Sequence, residues 1–246
     1  MGSLLKSKVL VTLSLGLSLL LTVLIVRPDT LMNLKNRLGF ISDEQIELTP
    51  FYHRVVKYHR RVSSNAPGGA VQFIGDSFVE GLCVAAVTDS AINFGIGGDT
   101  TLGMLKRIPL YPSLKHAAAI VLAGGFNDMW RRPNEGIADN YRIILQQLPS
   151  EVPIVMNAVF PVDEREEPAF SGKNRQIDKL NGQLREICYS DNRCTFVDIS
   201  NGLKDASGNL ATGLQDGDGL HLGTKGNAIW IEALRKVVAE VAKPQP

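Results

Sequence analysis

The stretch FIGDSFVEG, residues 73–81, places a serine at the point where an apolar run ends in glycine. The hydroxyl of Ser77 is a candidate nucleophile, although a serine in this position can also cap a helix. A serine hydroxyl becomes reactive when a neighbouring base removes its proton. Of the four histidines in the sequence, His53 and His59 lie in a basic helical segment, and His116 precedes the third apolar run. These three are poorly placed to serve as the base.

His221 is the histidine that remains, within the segment QDGDGLHLG, residues 215–223. Asp218 lies three residues before it, so one loop can supply both the imidazole and the carboxylate that orients its second ring nitrogen. Asp216 is the competing carboxylate, and we prefer Asp218. Taken alone, a glycine-rich segment of this kind is also typical of a surface loop. Together with Ser77, the segment predicts a Ser-His-Asp triad.

Five short apolar runs alternate with helical segments along most of the chain. The runs are 70–75, 90–97, 117–125, 152–160 and 194–200, and the helical segments are 100–108, 136–148, 174–189 and 225–243. Nearly unbroken apolar strands that alternate with helices indicate a parallel sheet covered on both faces. The sequence therefore predicts an α/β fold, a three-layer α/β/α sandwich with a central five-stranded parallel sheet.

Polar turns that contain glycine follow the first three of these strands. They are Gly75-Asp76-Ser77, Gly97-Gly98-Asp99 and Gly125-Phe126-Asn127-Asp128. In such a sheet, ligands bind outside the carboxyl ends of the strands, so the three turns should converge there. Acyl transfer needs N–H donors for the developing oxyanion. We expect the backbone N–H groups of Ser77 and Gly98 and the side-chain amide of Asn127 to supply them.

Composition and motifs give no support to several other kinds of function. The formal net charge of +1 does not indicate a nucleic-acid partner. The three cysteines form no CxxC pattern and no HExxH is present, so no metal site is predicted. The segment GIGGDT, residues 95–100, fails the dinucleotide pattern because Thr100 stands where the third glycine is needed.

Four blocks of the sequence carry a resemblance to a known family. GDSF (75–78), NFGIGGDTT (93–101), GGFND (124–128) and DGLHL (218–222) resemble the four blocks of the GDSL/SGNH hydrolases, in the order of that family. The second block is most similar to that of the platelet-activating-factor acetylhydrolase catalytic subunits. The resemblance covers residues 68–243.

The resemblance implies a flavodoxin-like fold and a serine hydrolase without metal or organic cofactor. Ser77 would be the nucleophile, and Asp218 and His221 would complete the triad. Ser77, Gly98 and Asn127 would form the oxyanion hole. Phe78 departs from the usual leucine, which we expect to be tolerated because this side chain packs rather than reacts.

The N-terminus indicates a membrane anchor. Residues 9–26 form an 18-residue stretch without charge, which is long enough to cross a hydrocarbon core of ~30 Å. The stretch ends at Arg27 without a small-residue cleavage site, so we predict an uncleaved transmembrane helix within residues 1–27. A long cleaved signal peptide is the alternative. A juxtamembrane connector with one helix (28–67) and the hydrolase domain (68–243) would follow.

The side of the membrane is indicated by the cysteines rather than by the charges. Basic residues stand on both sides of the apolar stretch, so the positive-inside rule gives no orientation. Cys188 and Cys194 flank a short turn-like segment, and a disulfide between them would need an oxidising compartment. Two unpaired thiols are the alternative. We predict that the domain lies outside the cytoplasm, on the periplasmic or extracellular side.

These features predict a membrane-anchored serine esterase that hydrolyses small acyl esters of the acetyl type. The candidate substrates are an O-acetylated glycan or, by the same chemistry, a lysophospholipid or a thioester. The alternative from a different class is a non-catalytic binding or scaffold protein on this fold. The complete set of candidate residues favours the enzyme. The sequence does not indicate an oligomeric state.

Overall fold

The computed structural model describes residue 44 and residues 47–242. The compact unit that contains the sheet begins at Pro50. Its helices are α1 (Pro50–Ser64), α2 (Ser77–Glu80), α3 (Thr101–Arg107), α4 (Asn134–Gln147), α5 (Lys173–Tyr189), α6 (Ser200–Leu203) and α7 (Thr224–Val241). Its strands are β1 (Val71–Gly75), β2 (Ala91–Gly95), β3 (Ala119–Ala123), β4 (Ile154–Asn157) and β5 (Cys194–Val197). Short 3₁₀ turns include Pro112–His116 and Asn127–Trp130.

The five strands form one parallel sheet in the order β2-β1-β3-β4-β5. Gly75 pairs with Gly95 on one side and with Ala123 on the other, so β1, β2 and β3 end level at one edge. The turns that follow these strands therefore start side by side. The predicted three-layer α/β sandwich with a five-stranded parallel sheet is confirmed. The strands are shorter than the predicted runs because the terminal residues of each run leave the sheet.

Side chains along each strand alternate between two apolar cores, one on each face of the sheet. Ile74 and Leu122 belong to the core that α3, α4 and α5 cover. Phe73 and Val121 belong to the second core, which α2 and α7 close. Alternation of this kind is what a strand imposes when both of its faces are buried. The apolar runs in the sequence are continuous because side chains on both faces of each strand are covered by helices.

Helix α1 packs against α3 and against the 3₁₀ turn that precedes β3. The Tyr52 hydroxyl donates a hydrogen bond to the carbonyl oxygen of Gly103 at 2.7 Å. At the other end of the helix, the hydroxyls of Ser63 and Ser113 lie 2.7 Å apart. His59 lies in α1 between Tyr52 and Ser63 and is buried. This burial, together with the nearby Arg107 cation, lowers the pKa of His59 to about 4. His59 is thus a neutral packing residue.

No helix among the described residues has both the length and the apolar character that a bilayer crossing requires. The transmembrane helix predicted over residues 9–26 lies outside the described residues. It stays a prediction.

A buried ion pair connects the ends of β1 and β2. The fully buried Arg107 of α3 donates from Nε to Asp99 Oδ2 at 2.8 Å, from Nη1 to the Phe94 carbonyl at 2.7 Å and from Nη2 to the Gly75 carbonyl at 3.0 Å. Burial raises the pKa of Asp99 to about 6, although Arg107 acts in the opposite direction. At neutral pH the carboxylate is therefore mostly ionised and pairs with the guanidinium.

A disulfide joins Cys188, near the end of α5, to Cys194, at the start of β5. Cys83 is a free, exposed cysteine. Of the two alternatives for these cysteines, the structure has the bridge.

Replacing Arg107 with methionine should lower the free energy of unfolding by about 3–5 kcal/mol, because the buried carboxylate of Asp99 loses its partner. The double variant Arg107→Met/Asp99→Asn should recover part of that loss, since no unpaired charge remains. Urea denaturation at pH 7.5 measures both. A single variant within about 1 kcal/mol of wild type would contradict the role given to this ion pair.

Removing the disulfide with Cys188→Ser/Cys194→Ser should lower the free energy of unfolding by about 2 kcal/mol, the loop entropy expected for a sequence separation of 6. Mass spectrometry of the unreduced protein should show one alkylatable cysteine, Cys83. The matched control Cys83→Ser should change stability by less than about 0.5 kcal/mol. Three alkylatable cysteines in unreduced, exported protein would show that the bridge does not form.

Candidate active site

Ser77 is the first residue of α2 and lies at the carboxyl edge of the sheet, two residues after Gly75 ends β1. Asp76, not Ser77, caps this helix, since its Oδ1 accepts the backbone N–H of Phe78 at 3.1 Å. Gly95 lets α2 approach the sheet, because a Cβ at this position would lie 2.1 Å from the backbone nitrogen of Glu80. The serine hydroxyl is therefore left available for another partner.

The capping carboxyl next to the serine is itself unusual. Burial raises the pKa of Asp76 to about 7; the hydrogen bond from the Phe78 N–H opposes this, and the nearby Asp99 and Asp128 carboxylates add to it. Within the described part of the chain, its Oδ2 is buried and has no hydrogen-bond partner. Asp76 is thus only partly ionised at neutral pH.

The structure brings Ser77, His221 and Asp218 into one hydrogen-bonded chain. Ser77 Oγ lies 2.9 Å from His221 Nε2, and His221 Nδ1 lies 2.6 Å from Asp218 Oδ2. The other oxygen, Asp218 Oδ1, accepts the backbone N–H groups of Leu220 at 2.9 Å and His221 at 2.8 Å. Burial acts to raise the pKa of Asp218, but these hydrogen bonds outweigh it and lower the pKa overall. The carboxylate is therefore charged where it faces the imidazole.

Asp216, the competing carboxylate, contacts the histidine only through the backbone. Its N–H donates to the carbonyl oxygen of His221 at 2.8 Å. Its side chain is exposed. Of the two carboxylates, that of Asp218 is the one in contact with the imidazole.

The expected oxyanion donors lie on neighbouring turns. In the described part of the chain, the backbone N–H groups of Ser77 and Gly98 donate no hydrogen bond. Gly98 has a φ of 74°, the left-handed region that favours glycine, although a Cβ would meet no atom there. Asn127 Nδ2 donates to the carbonyl oxygen of Asp99 at 2.9 Å. Since an amide nitrogen carries two hydrogens, the second remains available.

Asp128 fixes the turn that carries Asn127. Its buried carboxylate accepts the Thr101 backbone N–H at 2.8 Å and the Thr101 hydroxyl at 2.5 Å, and it pairs with Arg132. Burial raises the pKa of Asp128 even though these contacts favour its charged form. The turn after β3 is thereby joined to the first turn of α3.

Phe78 packs against the histidine of this site. Its ring centroid lies 5.3 Å from that of His221 and 5.3 Å from that of Phe160. A packing role for this side chain was the sequence expectation.

A cavity of about 360 Å³ lies beside the serine and the histidine. It is lined by Ser77, Phe78, Gly81, Asp216, His221, Leu222, Gly223, Thr224 and Asn227. In the described part of the chain, no group of three or more His, Cys, Asp or Glu side chains could hold a metal ion.

The role of Arg107, which supports two of the three turns, was not predicted from the sequence. Its spacing was the one indication: Arg107 follows Met104 by three residues, so both side chains lie on the buried face of α3. The other histidines lie away from the serine, as expected. His59 contacts Phe94 and Tyr111, and His116 ends a 3₁₀ turn before β3.

The structure is similar to several solved structures of hydrolases. A protein from Streptococcus pneumonia, provisionally described as a platelet activating factor, has a TM-score of 0.68 and 24% identity over 78% of this chain and 93% of its own. A GDSL-like lipase from Bacteroides thetaiotaomicron has a TM-score of 0.66 and 16% identity over 77% and 97% of the two chains. A carbohydrate esterase family 3 protein from Talaromyces cellulolyticus has a TM-score of 0.56 and 14% identity over 72% and 99%. These similarities show a shared fold.

A sequence model of a family gives the stronger result. The model of the GDSL-like lipase/acylhydrolase family matches residues 73–229, which is more than half of the chain. Among proteins with curated descriptions, none matches. The family match covers all four sequence blocks and the carboxyl edge of the sheet. The chain therefore belongs to the GDSL-like lipase/acylhydrolase family and is a serine hydrolase that acts on ester bonds.

Proposed function

We propose that this protein hydrolyses small acyl esters of the acetyl type through Ser77, His221 and Asp218. The observation that carries the proposal is the continuous chain of hydrogen bonds from hydroxyl to imidazole to carboxylate, at 2.9 and 2.6 Å. A base in contact with the hydroxyl and a carboxylate in contact with the base are what activation of serine requires.

In the first half of the reaction, His221 Nε2 takes the proton of Ser77 as Oγ forms a bond to the ester carbonyl carbon. The carbonyl oxygen becomes an oxyanion, which accepts hydrogen bonds from the N–H groups of Ser77 and Gly98 and from the Asn127 amide. When the bond to the alcohol breaks, His221 returns its proton to the leaving oxygen. An acyl-serine and the free alcohol result.

In the second half, water replaces the alcohol. His221 takes a proton from water, and the water oxygen adds to the acyl carbon. This step forms a second oxyanion, which accepts hydrogen bonds from the same donors. Collapse of this intermediate returns the proton to Ser77 Oγ and releases the carboxylic acid. Asp218 holds the imidazole by Nδ1 throughout and stabilises the imidazolium that forms twice.

Within the proposal, O-acetylated glycans are the first candidate substrates, because the chain shares its fold with a carbohydrate esterase. Lysophospholipids and thioesters are the alternatives, by the same chemistry.

A membrane anchor and an extracytoplasmic location belong to the same proposal. The disulfide between Cys188 and Cys194 supports the extracytoplasmic location, because disulfides persist in oxidising compartments. The anchor itself rests on the uncharged stretch at residues 9–26 of the sequence.

Ser77→Ala and His221→Ala should each reduce kcat on p-nitrophenyl acetate to a residual rate that is ~10³–10⁴-fold above uncatalysed hydrolysis in water. The double variant should be little slower than either single variant. The effects do not add because the nucleophile is inactive without its base. His116→Ala is the matched control and should retain nearly full activity. A folded Ser77→Ala variant with wild-type turnover would refute the proposed function.

Asn127→Ala should lower kcat by about 10²–10³ while KM changes less, because one oxyanion donor is lost in the transition state. Asn140→Ala removes another partly buried amide, which donates to the Thr101 hydroxyl at 2.8 Å. This control should lose less than about tenfold in kcat. Equal losses in the two variants, at equal melting temperatures, would argue against an oxyanion role for Asn127.

The value of kcat/KM should rise with pH between about 5 and 8, since a histidine base acts only in its neutral form. Asp76 and Asp99, whose pKa values burial raises to about 7 and about 6, titrate in the same range. The profile should therefore be repeated with Asp76→Asn, which keeps an oxygen to cap α2 and leaves the pair of Arg107 and Asp99 intact; the rise should persist. A flat wild-type profile would contradict a histidine base.

A further inference from the structure

The cavity of about 360 Å³ contains a carboxylate that the reaction above does not use. Asp216 lines the cavity and its side chain is exposed. Among the residues that the structure describes, no side chain or backbone N–H donates to this carboxylate, and it forms no ion pair. The group is therefore available to a molecule that enters the cavity.

The position of the cavity shows which part of an ester would occupy it. Its lining includes His221 and the residues that directly follow, Leu222, Gly223 and Thr224, but neither Gly98 nor Asn127. The ester oxygen that leaves must lie close to His221 Nε2, because that atom protonates it. The carbonyl oxygen must lie at the donors on the other two turns. This lining favours the leaving alcohol as the part of the ester that occupies the cavity.

We propose that this cavity is the alcohol subsite and that Asp216 makes it selective for a neutral, hydroxyl-rich alcohol, such as a sugar ring, over an anionic one. The inference rests on the proposed function. Hydroxyl groups of the alcohol would donate to the carboxylate, and the Thr224 hydroxyl can donate or accept beside it. An anionic alcohol would be repelled by the negative charge of Asp216. An apolar alcohol would displace water from the carboxylate without replacing the hydrogen bonds that water made.

The N-terminus of helix α7 is a second electrostatic feature of the cavity, with a sign opposite to that of Asp216. Helix α7 begins at Thr224, and its N-cap, Gly223, has no side chain to satisfy the first N–H groups. A helix N-terminus carries the equivalent of roughly half a positive charge. In the wild type, the full charge of Asp216 outweighs it. With Asp216 neutralised, the partial positive charge remains and the nearest other carboxylate, that of Asp218, is held by His221 and two backbone N–H groups, so the repulsion of an anionic alcohol should weaken.

The test compares two esters that differ only at C6 of the sugar, methyl 3-O-acetylglucoside with its hydroxymethyl group and the methyl glycoside of 3-O-acetylglucuronic acid with its carboxylate. The wild type should prefer the glucoside by about fivefold or more in kcat/KM, as expected for two like charges several ångströms apart in a water-like medium. Asp216→Asn should reduce the ratio towards one. Asp216→Glu, which keeps the charge, should keep the preference. High salt should weaken the preference in the wild type.

Asp139→Asn is the matched control, because it removes an equally negative exposed side chain that pairs with Arg142 on α4. Its ratio should equal that of the wild type. An unchanged ratio in Asp216→Asn, a wild type without preference, or hydrolysis of p-nitrophenyl acetate but of neither sugar would overturn the alcohol subsite and leave the proposed function standing. Failure of the folded wild type to hydrolyse any acetyl ester would overturn both.

Discussion

The guanidinium of Arg107 holds together the turns on which the proposed chemistry depends. It donates to the carbonyl oxygen of Gly75, two residues before Ser77, and to the carboxylate of Asp99, one residue after Gly98. The Asp99 carbonyl in turn accepts the Asn127 amide. Because these groups are buried, any geometry that leaves one of them unpaired is unfavourable by several kcal/mol. The three expected oxyanion donors are therefore fixed relative to one another by a few strong contacts.

The acid–base half of the site is built differently. His221 and Asp218 have side chains that are 37% and 49% exposed, and one loop supplies both. That loop is shaped by its own hydrogen bonds, including those from the N–H groups of Gly217 and Gly219 to Gln215 Oε1. In the proposed reaction, the buried half would stabilise the developing charge, while the exposed half would leave room for substrate and water to reach the imidazole.

The regular elements and the candidate residues could be predicted from sequence because their signals are local. Apolar runs mark strands, and a glycine-containing polar turn marks the end of each. The role of Arg107 could not be predicted, since its burial depends on a carboxylate and two carbonyls that only the tertiary fold brings near it. The sequence already favoured Asp218 over Asp216 by its spacing from the histidine, but the contact between Asp218 Oδ2 and His221 Nδ1 is visible only in the loop geometry. The hydrogen bond from the Tyr52 hydroxyl of α1 to the carbonyl oxygen of Gly103 could not be predicted either, because it joins residues that are 51 positions apart in the chain.

In the proposed mechanism, the hydroxyl of Ser77 is the nucleophile and His221 activates it. Labelling of the folded protein with a fluorophosphonate, followed by peptide mapping, tests both roles, because the reagent forms a stable bond to an activated serine. We expect a single adduct on Ser77, formed rapidly in the wild type and far more slowly in folded His221→Ala. An adduct on a different residue, or folded wild-type protein that stays unlabelled, would contradict the proposed mechanism.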